Sequence, residues 1–582
     1  MSKENFTWYI TNMGQFKKDN GEDSFFTNVT AAPISGDKDK RLFIDGYIIP
    51  RLSVYSEYKN IDQHDLVGIL YLKYGLNFIQ YIKGVFTIIF FTGNKLYIFN
   101  DRHGLQKYFI YQSSNKFIIS NSMKFISENV NLTFSKENAA TFCLLDHFMD
   151  GSTMFEEVMV NKPASILIFK DDIKLYTYWQ PQELFNHTFR EQNFEILAET
   201  WKKLTSCYIE YLKPSQISLT LTGGNDSRMI LAGLLANDVK PNTFTFGNPA
   251  SSDGVIAKQI ANKLNIPHNI YYVKSPSNKW FADYANKIIS CGNSLVNIHR
   301  AHRMDAIEQE KIKNSKTDML FTGLVGGEYI KEPAYNNIVI PLLFKWFVKN
   351  KNPKSIMEEI KSSLINIGFN MLNVDISMIY EKIKSISEYG EGINEKQKKF
   401  VYTYHYYAAA HHFQDSKIFA GYVDYVVNPF MDVEFLELLS SYPGWYIHKN
   451  ATLVDKIWSS YFLIKITDIL APELSDIPYA KKGEYTGNDL LGNPFLYLLK
   501  RGLYFIQHVQ NKYPRNFPMG QWLYDFCKHQ LIEMHPQIVE LLDINVLKNK
   551  LETIKEELSE EIWHVITNPI NLSMNLKYYA KI

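Results

Sequence analysis

Between Ser218 and Ala236 the chain reads SLTLTGGNDSRMILAGLLA, which places small, acidic and hydroxyl side chains where a strand gives way to a helix. Ile217, Leu219 and Leu221 alternate with polar residues and predict a strand that stops at Thr222. Gly223 and Gly224 let the backbone turn tightly and come close to a ligand with no Cβ in the way. Asp226 and Ser227 then fall in the first turn of a helix whose apolar face is Ile230, Leu231, Leu234 and Leu235. A helix N-terminus after a glycine turn, at the carboxyl end of a parallel strand, favours phosphate through its free N–H groups and its dipole. The Asp226 carboxylate would repel bare phosphate, so Mg²⁺ held between carboxylate and phosphate oxygens is the sensible partner. The spacing is neither GxxxxGK[ST] nor GxGxxG. A plain Gly-Gly turn, with Asp226 favoured only by the helix dipole, is the alternative.

The elements that must position this turn form an alternating series. An amphipathic helix, NFEILAETWKKLTSCYIEYL, precedes it. The strand QISLTL, a helix, the strand NTFTFG, the helix DGVIAKQIANKLN, the strand HNIYYV, a helical stretch and the strand DMLFT follow in order. That alternation predicts a parallel sheet with helical crossovers. Beyond about residue 335 the chain reads as mostly helical. Before it, FFTGNKLYIF, YQSSNKFIIS and FKDDIKLYTY read as strand-turn-strand units, with one helix expected over DQHDLVGILYLKYGLNFIQYI. Residues 1–190 therefore predict an α+β sandwich domain and residues 191–582 an α/β domain with a helical C-terminal region.

Bulk properties narrow the function classes. A chain of 582 residues exceeds one core. A formal net charge of +1 disfavours nucleic acid and membrane surfaces as partners. Cys143, Cys207, Cys291 and Cys527 are widely spaced, which suits a reducing cytoplasm and neither a zinc ribbon nor a disulfide framework. The start MSKENFTWYITN lacks a signal-peptide core, and no run reaches the roughly 18 apolar residues of a membrane span. A soluble, cytoplasmic protein is expected.

The segment LTGGNDS resembles the SGGxDS loop of the N-type ATP pyrophosphatases, with Thr222 for the leading Ser. Five further segments, in matching order between about residues 40 and 490, are similar to the asparagine synthetase B family. They are DGYIIP, the run GVFTIIFF to FIISNSMKFI, FTGLVGGEYI, NPFMDVEFLELL, and DKIWSSYFLIKITDILAPEL with AKKGEYTG. The resemblance implies an Ntn-hydrolase-like glutaminase domain followed by a PP-loop ATP pyrophosphatase domain using ATP and Mg²⁺. It implies that Thr222, Gly223, Gly224, Asp226 and Ser227 hold phosphates and metal. Phe246 and Gly323 would flank adenine, Lys456 would touch phosphates, and Lys481 would stabilise the adenylate and the attacked carbonyl. Lys482 is the alternative if that loop slips.

The departures matter as much. Ser2 stands where glutamine-using members expose a cysteine, and serine is the weaker nucleophile. Asp45 replaces the oxyanion Asn, and no RGPD segment is present. A glutaminase domain kept as structure is implied, as in β-lactam synthetase and lasso-peptide cyclases. The family's metal Asp falls on Gly327 and its acidic or tyrosyl residue on Leu324, which leaves Glu328 as a second metal ligand and catalytic carboxylate. Arg228 is placed to meet an anion. His299, Arg300, His302 and Arg303 either line an acceptor pocket or face solvent, and His411 with His412 reads as a structural pair rather than a zinc site.

The expected activity is an ATP-dependent, AMP-forming ligase that adenylates a carboxylate and joins it to an amine without glutamine. A peptide macrolactam, with a precursor peptide or protease as partner, and an amidated sugar acid or small metabolite both fit. A non-catalytic nucleotide-binding relative is the other reading.

Overall fold

The computed structural model describes residues 6–13, 21–22, 25–93, 95–170, 173–186, 193–274, 276–333, 392–448, 453–480, 485–493, 495–500, 519–554 and 560–580, with isolated positions at 358–359, 362, 373 and 517. The strand-turn-strand units of the first part are present as such. β1 (Tyr9–Thr11), β2 (Gly21–Glu22), β3 (Phe25–Thr27), β8 (Phe109–Ser113), β9 (Lys116–Ser120) and β10 (Val158–Val160) form one antiparallel sheet in the order β10-β8-β9-β1-β3-β2. β4 (Ala32–Ile34), β5 (Asp37–Pro50), β6 (Ile82–Thr92), β7 (Lys95–Asn100), β11 (Ser165–Phe169) and β12 (Ile173–Thr177) form a second, in the order β12-β11-β7-β6-β5-β4.

The two sheets share a core. Ile10 and Ile119 of the first and Ile89, Ile98 and Leu167 of the second belong to one buried cluster, as alternation along each strand requires. Helices cover the outer faces. Leu66, Val67 and Leu70 of α1 (Gln63–Tyr74) belong with Ile88, Phe90 and Phe99 of the second sheet. Met123 and Ile126 of α2 (Met123–Asn129) and Phe142 of α3 (Lys136–Leu145) belong with Phe109 and Ile118 of the first. The single helix expected over residues 62–82 is interrupted. Gly75 takes φ +58°, a conformation glycine adopts without strain, and the chain continues as a 3₁₀ turn over Gly75–Tyr81.

The alternating part also forms as read. β13 (Ile217–Thr220), β14 (Asn242–Phe246), β15 (His268–Tyr271), β16 (Met319–Phe321) and β17 (Tyr425–Val427) make an all-parallel sheet in the order β15-β14-β13-β16-β17. The crossovers are α5 (Asn225–Leu235), α6 (Ser252–Leu264), and the pair α7 (Asn278–Cys291) and α8 (Ala301–Lys313), with α4 (Phe194–Leu212) leading in. The chain builds outward from β13 to β15 and then returns to place β16 on the other side. The carboxyl ends of β13 and β16 therefore flank a topological switch point, where open parallel sheets bind ligands. The expected boundary at residue 190 falls within 187–192, outside the described residues.

A buried ion cluster joins the antiparallel sheets to the parallel part. Lys83 of β6 lies 2.7 Å from Asp432 and 2.6 Å from Glu434, with its side chain 3% exposed. Tyr208 of α4 donates its hydroxyl to the same Asp432 at 2.8 Å. Removing one partner of such a cluster strands the others in a poorly solvating interior. Lys83→Ala is expected to lower stability by about 3–5 kcal/mol in urea unfolding. A loss no greater than that of a surface substitution would show that the cluster does not join the two parts.

Candidate functional site

The glycine turn sits at the switch point, at the end of β13. Ser227 closes it on itself. The Thr222 amide donates to the Ser227 hydroxyl at 3.1 Å, and that hydroxyl lies 3.2 Å from the Thr222 hydroxyl. The Gly224 amide donates to Thr222 Oγ1 at 3.2 Å. Gly224 is the N-cap of α5 and carries no side chain to satisfy the first-turn N–H groups, and Asp226 is the acidic residue of that turn. Neither glycine has positive φ. Gly223 is required by close approach: a Cβ there would lie 2.5 Å from the Ala480 Cβ and 3.0 Å from the Ile256 Cβ.

The segment after β16 packs against this turn from the other side. A Cβ on Gly323 would lie 3.2 Å from the Ser227 amide, and one on Gly326 would lie 3.0 Å from the Asp226 carboxyl carbon. At Gly327 the added Cβ would meet Asp226 Oδ2 at 3.4 Å. Between them Val325 is held at φ +58°, a conformation costly for a β-branched residue. Strain of this kind is maintained only where the surroundings over-determine it, and here it sets the direction of the short helix α9 (Gly326–Ile330) that carries Glu328. Burial and then the charge of Asp226 push the Glu328 carboxyl up to about 7. Asp226 and the helix that carries Glu328 thus approach each other from the two sides of the switch point. Two mutually repelling carboxylates beside an uncapped helix end suit a divalent cation that takes its other ligands from phosphate and water. Among the described residues no group of three or more His, Cys, Asp or Glu side chains forms a closed metal site.

Arg228 is a correction to the sequence reading. Its guanidinium is fully buried and meets no anion site. It donates to the carbonyls of Ile477 at 2.7 Å, Pro478 at 2.8 Å and Leu474 at 3.3 Å, and lies 3.8 Å over the Tyr479 ring. Together with the Ala480 amide, which donates to the Gly223 carbonyl at 3.0 Å, it fixes residues 474–480 on the glycine turn. Lys481 follows Ala480 directly. Lys481 and Lys482 lie outside the described residues, and the chain resumes at Tyr485, whose carbonyl accepts from the Tyr479 amide at 3.0 Å. Lys456 falls in the helix Leu453–Leu470, which packs on α5; its side chain is outside the described set.

Phe246 ends β14 half-buried, with its ring 6.1 Å from His302 and with the Arg303 guanidinium 5.8 Å away. In the His-Arg cluster only Arg303 is partly exposed. Arg300 is 1% exposed and donates to Asp415 at 2.6 Å and to Gln414 at 2.9 Å, while Arg303 also contacts Asp415. His299 and His302 are buried, and burial depresses the His302 imidazole to about 3. His411 and His412, read from the sequence as a structural pair, lie on another segment beside Glu328. Thr403–His412 is a π-helical stretch, a rare form that often marks functional sites. It ends with His412 Nε2 3.9 Å from Glu328 Oε1 and with His411 beside Asp146 at 3.3 Å. These partners are far apart in the chain, so no local spacing could have signalled them.

In the antiparallel part Asp45 is already engaged. Its Oδ2 accepts from the buried Trp8 indole at 2.8 Å and from the Asn121 amide at 3.3 Å. Ser2 lies outside the described residues.

No family model matches the chain. It is 27% identical over 209 residues to Amidase chry2 of Gibberella zeae, a stretch that covers 34% of this chain and 30% of that protein. The chain thus spans under a third of that relative's length. Two solved structures are similar with a TM-score of 0.19 each. One is the glutamine phosphoribosylpyrophosphate amidotransferase from B. subtilis complexed with ADP and GMP, at 10% identity over 54% of this chain and 74% of that one. The other is the glutamine-dependent NAD⁺ synthetase from Acinetobacter baumannii with adenosine diphosphate, at 12% identity over 45% of this chain and 62% of that one. Scores that low leave the fold to be argued from the strands themselves.

Two outcomes check this geometry. Gly223→Ala is expected to cost about 1–3 kcal/mol through the clash with Ala480, whereas Gly224→Ala, whose Cβ among the described residues would meet Thr222 Oγ1 alone at 3.2 Å, costs less. Equal melting shifts for the two would disprove the close approach. The Glu328 carboxyl ordinarily ionises near 4.5 but holds its proton to about 7 in the fold. Its contribution is therefore fully present below 4.5 and is lost as pH rises through 7. Glu328→Gln should flatten the fall in stability across that window, measured by thermal unfolding in metal-free buffer.

Proposed function

We propose that the chain is an ATP-dependent, AMP-forming carbon–nitrogen ligase of the asparagine synthetase-like kind, with residues 191–582 forming the synthetase and residues 1–190 a glutaminase-like domain that no longer uses glutamine. The observation that carries this reading is the convergence at the switch point. The uncapped glycine turn with Asp226, the glycine-rich strand end with Glu328 and the tether ending at Ala480 all meet there. Partial identity to a protein named an amidase supports amide chemistry.

In the proposed reaction a substrate carboxylate oxygen attacks the α-phosphorus of ATP. The bond to the β-phosphate oxygen breaks and pyrophosphate leaves. An amine nitrogen then attacks the acyl carbon, the bond to AMP breaks, and the nitrogen loses a proton. The amide N–H groups at the α5 start bind the leaving phosphates, with the Thr222 and Ser227 hydroxyls holding the turn in shape. Asp226 and Glu328 would hold Mg²⁺, which neutralises phosphate charge when bound. Lys481, next in sequence to a residue anchored on the turn, would supply positive charge to the attacked carbonyl. Phe246 and Gly323 would border the adenine at their strand ends.

The nitrogen source follows from Asp45. A carboxylate held by Trp8 and Asn121 at the oxyanion position disfavours glutamine hydrolysis. The amine is then ammonia or a group on the substrate, which is a small molecule or peptide; macrolactam closure and amidation of a sugar acid or metabolite remain the two substrate classes. No helix among the described residues is long and apolar enough to cross a membrane, and a cytoplasmic setting is part of the proposal.

ATP–pyrophosphate exchange with candidate amino acids, peptides and sugar acids tests the reading. Exchange should depend on the carboxylate and fall at least about 100-fold in Asp226→Asn. Lys481→Ala should bind ATP and lose acyl transfer. A wild-type chain that binds ATP yet yields neither exchange nor AMP across that panel would favour a non-catalytic nucleotide binder.

A further inference from the structure

The carboxyl end of the parallel sheet has a basic corner as well as an acidic one, and the π-helical stretch Thr403–His412 runs between them. Along that stretch Tyr402, Tyr404 and Tyr406 are buried, whereas Tyr407, His411 and His412 stay half-buried. The Tyr407 ring stacks on His411 at 4.8 Å and meets His412 edge-on at 4.7 Å. His412 is the residue that approaches Glu328. Burial and then Glu328 push the Tyr407 phenol up, and Arg300 and Arg303 act on it in the opposite sense. One ring therefore neighbours both corners.

The basic corner has more cation than anion. Asp415 is fully buried and is shared by Arg300 and Arg303. All three nitrogens of the Arg300 guanidinium group donate: to Asp415 at 2.6 Å, to Gln414 at 2.9 Å and to the His411 carbonyl at 3.2 Å. Arg303 differs. Its Nη1 meets Asp415, its Nε is buried with no hydrogen-bond partner, and its side chain is 27% exposed. Its guanidinium lies 5.8 Å from the half-buried Phe246 ring that ends β14. The neighbouring carboxylates are engaged elsewhere. Asp146 accepts from Asn297 at 2.8 Å and faces His411, and Asp305 accepts from Tyr284 at 2.8 Å and Gln309 at 2.6 Å. A buried N–H left without an acceptor is costly. Nε and Nη2 form the planar edge opposite the bond to Asp415, and such an edge fits the two oxygens of a carboxylate.

We infer that Arg303 determines the class of acyl donor: the acid carries a second carboxylate, which sits on the Nε–Nη2 edge while the reacting carboxylate lies toward Asp226 and Glu328. The inference rests on the ligase reading for what the site is used for. None of the hydrogen bonds that shape the glycine turn involves Arg303, so the anion it takes is distinct from the phosphates assigned to that turn.

Pairs of acids that differ only in the second group test this on the full chain: glutarate against glutaramate, and N-acetylglutamate against N-acetylglutamine. Binding is measured by calorimetry with Mg²⁺ and α,β-methylene-ATP present, and ATP–pyrophosphate exchange is measured on the same pairs. The diacid of each pair should bind at least about tenfold more tightly and support exchange in the same ratio. Arg303→Gln should bring both ratios close to one and Arg303→Lys should keep part of each, with nucleotide binding unchanged and circular dichroism showing an intact fold. Exchange that is equal within each pair, a ratio that survives in Arg303→Gln, or a tenfold loss of nucleotide binding in that variant overturns the inference and leaves the ligase reading standing. Failure of both diacids to bind overturns it too. Arg303-dependent preference in binding with no exchange supports the carboxylate site and counts against the ligase reading.

Discussion

The arrangement depends on one buried cation. Arg228 stands one residue after the Ser227 that closes the glycine turn, and its guanidinium donates to backbone carbonyls and lies over the face of a tyrosine. Hydrogen bonds from a charged donor are worth about 1.5–3 kcal/mol each when neither partner has water as a substitute. The consequence is rigid registry between two segments about 250 positions apart in sequence, the turn itself and the stretch that ends at Ala480. With that registry set, Gly223 has to be glycine, and Ala480 is held beside the turn at the carboxyl end of β13.

Much of the fold was legible because its signals are local. The strand QISLTL, the glycines after it and the amphipathic run from Asp226 give period and punctuation within twenty residues, and they became β13, the turn and α5. The hairpins of the first part were legible for the same reason. What failed to show has the opposite character. β17 has three residues, Tyr425–Val427, too few for an alternation to register, and it completes the sheet only through pairing with β16. The break at Gly75 depends on a positive φ that a helical pattern does not reveal.

The site divides along the same line. Residue types at Thr222, Gly223, Gly224, Asp226 and Ser227 pointed to this turn, and resemblance to a known segment pointed to Gly323 and Glu328, which the fold brings against it. That Arg228 points into the protein and not toward a ligand is invisible in a sequence, since the position next to an anion site suits both uses. The approach of His412 to Glu328 and the sharing of Asp415 by Arg300 and Arg303 arise from tertiary packing alone.

The three glycines after β16 are not equivalent. Any side chain at Gly326 would drive into the Phe430 ring at 2.8 Å and the Asp226 carboxyl, so that position is closed. Gly327 is open, since the nearest atom to an added Cβ is a carboxylate oxygen at ordinary van der Waals distance. A side chain at 327 could therefore be accommodated without rebuilding its described neighbours, and it would stand directly beside the Asp226 carboxylate, where one at 326 could not be built.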